Sequence, residues 1–240
     1  MKILGIKVDN LNFKQCLDEI CRLIQDKKPH QVVTVNPEMI MHARHDSEFK
    51  YALNHSDLNT ADGIGVIMAS KVLGGNLRER VSGTDLVWKI AEIANRKNYK
   101  IYFLGAAQGV AESAAQKIKQ KFPELKIVGT DAGSPYDLNV IEKIRNVSPD
   151  ILFVAFGHPK QEKWIYKYKK RLGVPVSIGV GGAFDFISGR VKRAPLWVQK
   201  IGLEWFYRLI KEPRRFKRQL SLPVFSWLVI EEFIKKHIKR

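Results

Sequence analysis

The sequence predicts an α/β protein: a layered, Rossmann-like domain with a mostly parallel sheet, followed by a C-terminal helical appendage. Short β-branched runs alternate with longer amphipathic segments along most of the 240 residues, which is the pattern of parallel strands joined by helices. The composition, 45% hydrophobic and 27% charged, is that of a globular protein. It excludes a disordered chain, a collagen-like repeat and a disulfide-rich scaffold.

Six short apolar runs are predicted to form the sheet. Three of them, IYFLG, ILFVAFG and VSIGVGG, end in glycine, as buried parallel strands do where they enter a tight turn at the carboxyl edge. Open α/β sheets bind ligands at that edge, so the residues just after the strands are the candidates for a functional site. The predicted strands are Gln31–Val35, Asp57–Thr60, Lys100–Leu104, Lys126–Gly129, Ile151–Phe156 and Pro175–Ile178.

Helices are predicted to follow several of these strands. Asn36 is a preferred capping residue and Pro37 a preferred first helical residue, so one helix should begin there. Two more are predicted from about Gln108 to Lys121 and from about Lys160 to Arg171.

The composition changes near residue 195, which predicts a core over 1–195 and an appendage over 196–240. Residues 191–240 carry 13 Lys and Arg against 4 Asp and Glu, and they hold three of the five tryptophans. Strand patterns stop there, and two or three short helices are predicted, interrupted at Pro213 and Pro223. The appendage is therefore expected to be basic, helical and apolar on several faces.

The net charge of +17 predicts an anionic partner, such as phosphate, nucleic acid or a lipid headgroup. The two cysteines, Cys16 and Cys21, are five residues apart, so they point in different directions on a helix and offer no disulfide framework or metal site. Their scarcity favours a reducing compartment. The first residues lack a signal-peptide pattern, and no apolar run reaches the ~18 residues of a spanning helix. We therefore expect a cytoplasmic location.

Two candidate site residues lie in the segments TADGIG and NLRERVSGTDL. Asp62 comes directly after a predicted strand and could act as a general base, although the pattern alone favours a simple cap of the helix near Gly63. Arg80 precedes a Ser-Gly-Thr turn and a helix, where a guanidinium and a helix N-terminus could bind one anion. A surface arginine is the plain alternative.

The segment IYFLGAAQGVAE resembles a nucleotide-binding turn centred on Gly105. Asp131 follows about where a ribose-binding acid would lie. The segment departs from G-x-G-x-x-G because Ala107 occupies the place of the middle glycine. A structural tight turn is therefore the alternative to a nucleotide site.

Two later motifs also place polar groups at strand ends. FGHPKQEKW puts His158 and Gln161 in a loop after a buried strand, where polar groups more often have a function than on a helix face; a first-turn position in a helix is the alternative for Gln161. GVGGAFDFISGRVKRAP offers successive glycines and then Asp185. Such a turn could hold a diphosphate or be only a tight connection.

Three familiar site patterns are missing from the sequence. It contains no Asp-x-Asp pair, no P-loop and no zinc-ligand spacing. The usual carboxylate pair for holding a divalent metal on a nucleotide-sugar diphosphate is thus lacking, and no metal is predicted.

Several of these motifs form an ordered set, namely TVNPEM, TADGIG, RVSGTDL, LGAA, GHPKQEKW, GVGGAFDFISGRVKRAP and GLEWFYRLIKEPRRFKR. Together they resemble the bacterial glycosyltransferase family 26, which contains the N-acetylmannosaminyltransferases of wall teichoic acid priming and of enterobacterial common antigen synthesis. The likeness covers nearly the whole chain, and the last three segments are the most specific.

The resemblance implies an inverting glycosyltransferase that uses neither a metal nor another cofactor. Similar members move a sugar from a UDP donor to GlcNAc linked to undecaprenyl diphosphate at the cytoplasmic face of the cell membrane. N-acetylmannosamine is the sugar expected first, although members differ in their donor. The expected partners are the UDP-sugar, the lipid-linked acceptor and an anionic membrane surface, without nucleic acid. A homo-oligomer is compatible with the sequence.

The resemblance also assigns roles to individual residues. It makes Asp62 the base, Arg80 the arginine that binds the diphosphate and Gln161 a site glutamine. Without a metal, arginines and backbone N–H groups would meet the charge of the leaving UDP, and one carboxylate suffices for inversion. The substrate-binding residues that it implies, with Gly105 added from its turn, are Thr34, Asn36, Gly105, Asp185, Arg208, Arg215 and Arg218.

Two other function classes compete with this interpretation. The alternating α/β pattern permits an NAD-dependent oxidoreductase, although the missing middle glycine disfavours it. The charge and the aromatic, basic appendage permit a nucleic-acid-binding module. The latter is disfavoured because no nucleic-acid-binding motif is present and the strongest motifs lie at sheet edges.

Overall fold

The computed structural model, which describes residues 1–213 and 216–238, contains a central sheet of six strands in the order β4-β3-β8-β7-β5-β6. Every pair of neighbours in this sheet is parallel. The strands are β3 (His30–Val35), β4 (Leu58–Ala61), β5 (Lys100–Gly105), β6 (Lys126–Asp131), β7 (Ile151–Ala155) and β8 (Val176–Gly179). The predicted α/β class is confirmed, and the six predicted strands match the observed ones to within two residues.

A two-stranded antiparallel hairpin precedes the sheet and was not predicted. It consists of β1 (Lys2–Ile3) and β2 (Ile6–Lys7). Strands of two residues are too short to show an alternating pattern.

Helices cover both faces of the sheet. They are α1 (Phe13–Asp26), α2 (Pro37–Ala43), α3 (Ser47–Asn54), α4 (Ile64–Val72), α5 (Gly83–Lys97), α6 (Val110–Lys121), α7 (Asn139–Val147), α8 (Lys160–Leu172) and α9 (Ala183–Ser188). Helices α1, α5, α6 and α9 pack on one face, and α2, α3, α4, α7 and α8 on the other.

Apart from the partly exposed edge strand β6, the strands are buried on both faces, which favours mainly apolar sequences. Val32 belongs to the core under α1 and α5, whereas Val33 belongs to the core under α2 and α4. In the same way Phe153 and Val154 of β7 enter different cores. Side chains thus alternate between two mainly apolar layers.

The C-terminal segment is helical, as predicted, with α10 (Leu196–Lys200), α11 (Glu204–Lys211), α12 (Phe216–Gln219) and α13 (Ser221–Ile238). Two details of the prediction are wrong. The described residues of the segment form four helices where two or three were expected. Pro223 does not interrupt a helix but lies in the first turn of α13, where a missing N–H costs nothing. The domain boundary at residue 195 stays a prediction.

Helix α13 packs on the core of its own chain. Phe225, Leu228 and Val229 are buried in the cluster that includes Met39 of α2 and Ile67 of α4. This packing lays the appendage across the carboxyl edge of the sheet. Among the described residues, no helix combines the length and the apolar character that crossing a membrane requires.

Candidate functional site

A cavity of about 450 Å³ lies at the carboxyl edge of the sheet. The loops after four parallel strands line it through Asn36 (after β3), Asp62 (after β4), Gly157 (after β7) and Val180 (after β8). The appendage contributes residues of α11, α12 and α13 to the lining. The cavity therefore lies where ligands bind in open α/β sheets.

Asp62 lies in this cavity with an altered acidity. Burial raises the pKa of its carboxyl to about 7, the Arg80 guanidinium acts to lower that pKa, and the Glu204 and Asp85 carboxylates act to raise it. The backbone N–H of Gly83 also donates to the carboxyl. A carboxyl with a pKa near neutrality is suited to accept a proton from a substrate.

The alternative role of Asp62 as a helix cap is wrong. The N-cap residue of α4 is Gly63, and no side chain forms a cap hydrogen bond there. The backbone N–H of Asp62 instead donates to the carbonyl of Val35 at 2.7 Å. This bond ties the end of β4 to the end of β3 and leaves the carboxyl group to the cavity.

Arg80 belongs to a network of charges beside Asp62. Its Nη1 donates to Glu204 Oε2 at 2.9 Å, and Arg193 Nε donates to Glu204 Oε1 at 2.8 Å. Arg193 also donates to both oxygens of Asp85, at 2.5 and 3.0 Å. Although burial opposes its charged form, these bonds raise the pKa of Arg193. Sequence reasoning missed Glu204, whose signal is an acid in an otherwise basic segment.

Thr34 and Asn36 both line the cavity, as the resemblance implies, but each also has a structural bond. The Thr34 hydroxyl donates to the Gly179 carbonyl at 3.3 Å, which links β3 to β8. Asn36 caps α2, since its Oδ1 accepts from the Met39 N–H at 3.0 Å. The predicted helix cap at Asn36 is thereby confirmed.

Gln161 also lines the cavity, where it joins the loops after β7 and β8. Its Oε1 accepts from the N–H groups of Gly157 at 3.0 Å and Gly181 at 3.1 Å. Its Nε2 donates to Glu162 Oε1 at 2.6 Å. Glu162 is fully buried, and this burial raises the pKa of its carboxyl to about 7. Gln161 is thus held by bonds on both ends of its amide.

The appendage brings two of its predicted arginines to the cavity. The guanidinium of Arg208 lies 4.7 Å from the centroid of the Phe186 ring, and its Nε donates to Glu212 at 2.7 Å. Arg218 pairs with Glu38 at 3.2 Å and donates to His158 at 2.8 Å. Arg215, the third predicted arginine, lies outside the described residues.

Two predicted site residues lie apart from this cavity. Gly105 ends β5 with a φ of +101°, and a Cβ there would come within 2.9 Å of the Ala155 carbonyl carbon, so the backbone needs a glycine at this position. Asp185 is in α9, where its neighbour Phe186 lines the cavity. Neither Gly105 nor Asp185 is among the described lining residues, and their ligand roles stay predictions.

Acidic, histidine and cysteine side chains are the groups that could bind a metal ion. Among the side chains that the structure describes, no three of these residues come together in a way that could hold a metal ion. The described lining of the cavity includes four arginines, Arg80, Arg193, Arg208 and Arg218.

Comparison with known proteins gives a family over nearly the full length of the chain. The glycosyl transferase WecG/TagA/CpsF family matches residues 1–239. An N-acetylglucosaminyldiphosphoundecaprenol N-acetyl-beta-D-mannosaminyltransferase of Bacillus subtilis (strain 168) is 39% identical over 225 residues, which are 93% of this chain and 88% of the relative. A protein of the same name from Staphylococcus aureus (strain MW2) is 31% identical over 241 residues, 99% of this chain and 94% of the relative.

The altered acidity of Asp62 predicts a pH-dependent gain in stability for Asp62→Asn. Because the pKa is raised from 3.8 to about 7 in the folded protein, the folded state loses stability as pH rises from about 4 to about 7. The neutral amide avoids this loss. We expect the difference in free energy of unfolding between variant and parent to grow by about 2 to 4 kcal/mol between pH 4 and pH 8.

Urea denaturation of variant and parent at several pH values measures this difference. Groups that titrate alike in both proteins contribute equally to both free energies of unfolding, so their contributions cancel. Asp18→Asn is the matched control, because Asp18 is exposed on α1 and its carboxylate stays in water. A difference for Asp62→Asn that is the same at pH 4 and pH 8 would show that folding leaves this carboxyl hydrated.

Proposed function

We propose a specific reaction for this chain, which belongs to the WecG/TagA/CpsF family of glycosyl transferases: it transfers N-acetylmannosamine from a UDP donor to GlcNAc linked to undecaprenyl diphosphate. The enzyme class follows from the family. The acceptor and the sugar are supported by the names of the two relatives. The NAD-dependent alternative is set aside because the family transfers glycosyl groups.

The observation that carries the proposal is the carboxyl of Asp62, which lines the cavity. Burial raises its pKa to about 7, although the nearby Arg80 guanidinium favours the ionised form. Asp62 accepts the proton of an acceptor hydroxyl. The hydroxyl oxygen then forms a bond to the anomeric carbon of the donor sugar, while the bond from that carbon to the diphosphate oxygen breaks. The electron pair leaves with UDP, and attack from the face opposite the diphosphate inverts the anomeric centre.

Arginines and backbone N–H groups supply the charge that the leaving diphosphate needs. Arg80 of the core and Arg208 of the appendage both line the cavity. The glycine-rich loop Gly181–Gly182 lies beside Arg208. Donors fixed in a site with little water stabilise a developing anion strongly, so this arrangement can do without a divalent metal.

A product assay tests the reaction. The protein is incubated with a short-chain lipid-diphosphate GlcNAc acceptor and a panel of UDP-sugars, and a disaccharide is sought by mass spectrometry. We expect UDP-N-acetylmannosamine to be used best, EDTA to leave turnover unchanged, and Asp62→Asn to lower kcat by ~10²-fold or more with UDP binding retained. Near-normal turnover of Asp62→Asn would overturn the assignment of the base. A loss of turnover in EDTA that magnesium restores would overturn the metal-free reaction.

The composition of the appendage favours binding of the protein to the surface of an anionic membrane. Its residues from 196 onward combine basic side chains with exposed apolar ones, an arrangement typical of interfacial helices. Each Lys or Arg near an anionic leaflet contributes ~1 kcal/mol. The large apolar residues that are exposed there include Leu196, Trp197, Ile201, Phe206, Ile210, Trp227, Ile230 and Ile238. We propose that this surface brings the cavity to the lipid-linked acceptor on the inner face of the membrane.

Vesicle flotation tests the attachment. We expect the protein to float with vesicles of phosphatidylglycerol and phosphatidylcholine and much less with phosphatidylcholine alone. Trp227→Ser should reduce flotation severalfold, because Trp227 is 62% exposed on α13. Tyr136→Ser is the matched control, since Tyr136 is 79% exposed on the core. Equal flotation of both variants and the parent would contradict the proposed surface.

Gly182→Ala is expected to impair turnover by moving Arg208. A Cβ on Gly182 would lie 2.6 Å from Arg208 Nη2, and the flexible end of the arginine can shift away, so the fold should remain stable. This shift would move the Arg208 guanidinium away from its position in the cavity lining. We expect kcat to fall by ~10-fold, with little change in the thermal unfolding temperature.

A double-mutant cycle with Arg208→Ala shows whether the effect passes through the arginine. In the Arg208→Ala background, Gly182→Ala should cause almost no further loss of kcat. Independent, multiplying losses from the two substitutions would show that Gly182 acts through its own backbone instead.

A further inference from the structure

Glu204 is the first residue of α11 and the carboxylate through which the appendage meets the charged network of the cavity. Its side chain is only 17% exposed. Each of its oxygens accepts from a different arginine of the core, Oε2 from Arg80 at 2.9 Å and Oε1 from Arg193 at 2.8 Å. A carboxylate that is this buried and shared by two guanidinium groups is strongly fixed in position.

The network closes into a ring of four charged groups. Arg193 binds Asp85 through two nitrogens, and Arg80 Nη2 lies 4.0 Å from Asp85 Oδ2. Asp85 is itself held by the Ser82 hydroxyl, which donates to it at 2.6 Å. Two positive and two negative groups thus balance one another. Only one of the four, Glu204, comes from the appendage.

Three members of this ring, Arg80, Arg193 and Glu204, line the same cavity as Asp62. The charged groups that act on Asp62 are Arg80, Glu204 and Asp85, from the loop before α5, from α11 and from α5. Glu204 is the member that could leave this group if the appendage moved. Its departure would free Arg80 from its closest anionic partner and remove a negative charge near the base.

We propose that Glu204 is a positioning residue that holds Arg80 in place beside Asp62, so that docking of the appendage completes the charge environment of the base. The inference rests on the proposed glycosyl transfer, to which it adds a residue with no assigned role. Glu204 does not itself receive the substrate proton, because both of its oxygens are bonded to guanidinium groups.

Two substitutions distinguish the effect of the charge of Glu204 from the effect of its side-chain length. Glu204→Gln removes the charge and leaves one oxygen acceptor. Removing a nearby negative charge favours the ionised form of Asp62 and lowers its pKa, so the acid limb of the kcat profile should move to lower pH. Because Arg80 also loses the carboxylate that fixes it, kcat at pH 7.5 should fall by ~10-fold. Glu204→Asp keeps the charge on a shorter side chain that cannot reach both arginines. It should lower kcat while leaving the acid limb near that of the parent.

Glu232→Gln is the matched control. Glu232 is another appendage carboxylate that contacts the core, since its Oε2 accepts from the Leu4 N–H at 3.2 Å, but it lies outside the cavity lining. If Glu204 only fastened the appendage, Glu204→Gln and Glu232→Gln would change turnover alike and neither would move the pH profile.

The titration of the Asp62 carboxyl, followed by carbon-13 NMR in the full chain, gives a readout that does not depend on turnover. We expect its midpoint to fall in Glu204→Gln and to stay in Glu232→Gln. A parent that makes no disaccharide while the Asp62 midpoint still shifts would overturn the proposed reaction but not the position of Glu204. A parent with full activity, together with an unchanged midpoint and unchanged kcat in Glu204→Gln, would overturn the role of Glu204 alone.

Discussion

The carboxyl of Asp62, kept away from bulk water beside a guanidinium group, is the arrangement on which the rest of the site depends. Burial of a charge is costly unless other groups compensate for it. Here Arg80 favours the ionised carboxylate, whereas burial, Glu204 and Asp85 favour the neutral acid. The opposing effects bring the pKa to about 7, so both forms are populated near neutral pH. A group in that balance can take up a proton and release it again.

The appendage is held to the core by two kinds of contact with different consequences. Phe225, Leu228 and Val229 of α13 bury apolar surface in the core, which stabilises docking but is not directional. The hydrogen bond from Gln219 to Glu38 at 2.9 Å and the ion pairs of Glu204 have defined geometry. Apolar packing therefore holds the appendage on the sheet edge, and the polar contacts set which side chains face the cavity.

The fold was more predictable from the sequence than the site was. The strands of the sheet are four to six residues long, and most are mainly apolar and buried, which is why all six were found. The two-residue strands of the hairpin are too short to show a pattern. Asp62 was found as a candidate because it directly follows a strand. Its local pattern favoured a helix cap. In the structure Gly63 is the N-cap residue of α4, which the local pattern could not show. The Arg80–Glu204 pair spans 124 residues, and only the packing of the appendage brings the two together.

Two carboxyl groups near the cavity have a pKa raised to about 7 by burial, those of Asp62 and Glu162, yet only one can be the base. Asp62 lines the cavity and is partly accessible, whereas Glu162 is fully buried beneath it. Glu162 bonds to the amide of Gln161, whose oxygen binds the loops after β7 and β8. A buried acid near neutrality can act as a hydrogen-bonding partner without the cost of a full charge. The same shift in acidity thus supports proton transfer at one carboxyl and a rigid cavity wall at the other, and access to substrate decides between them.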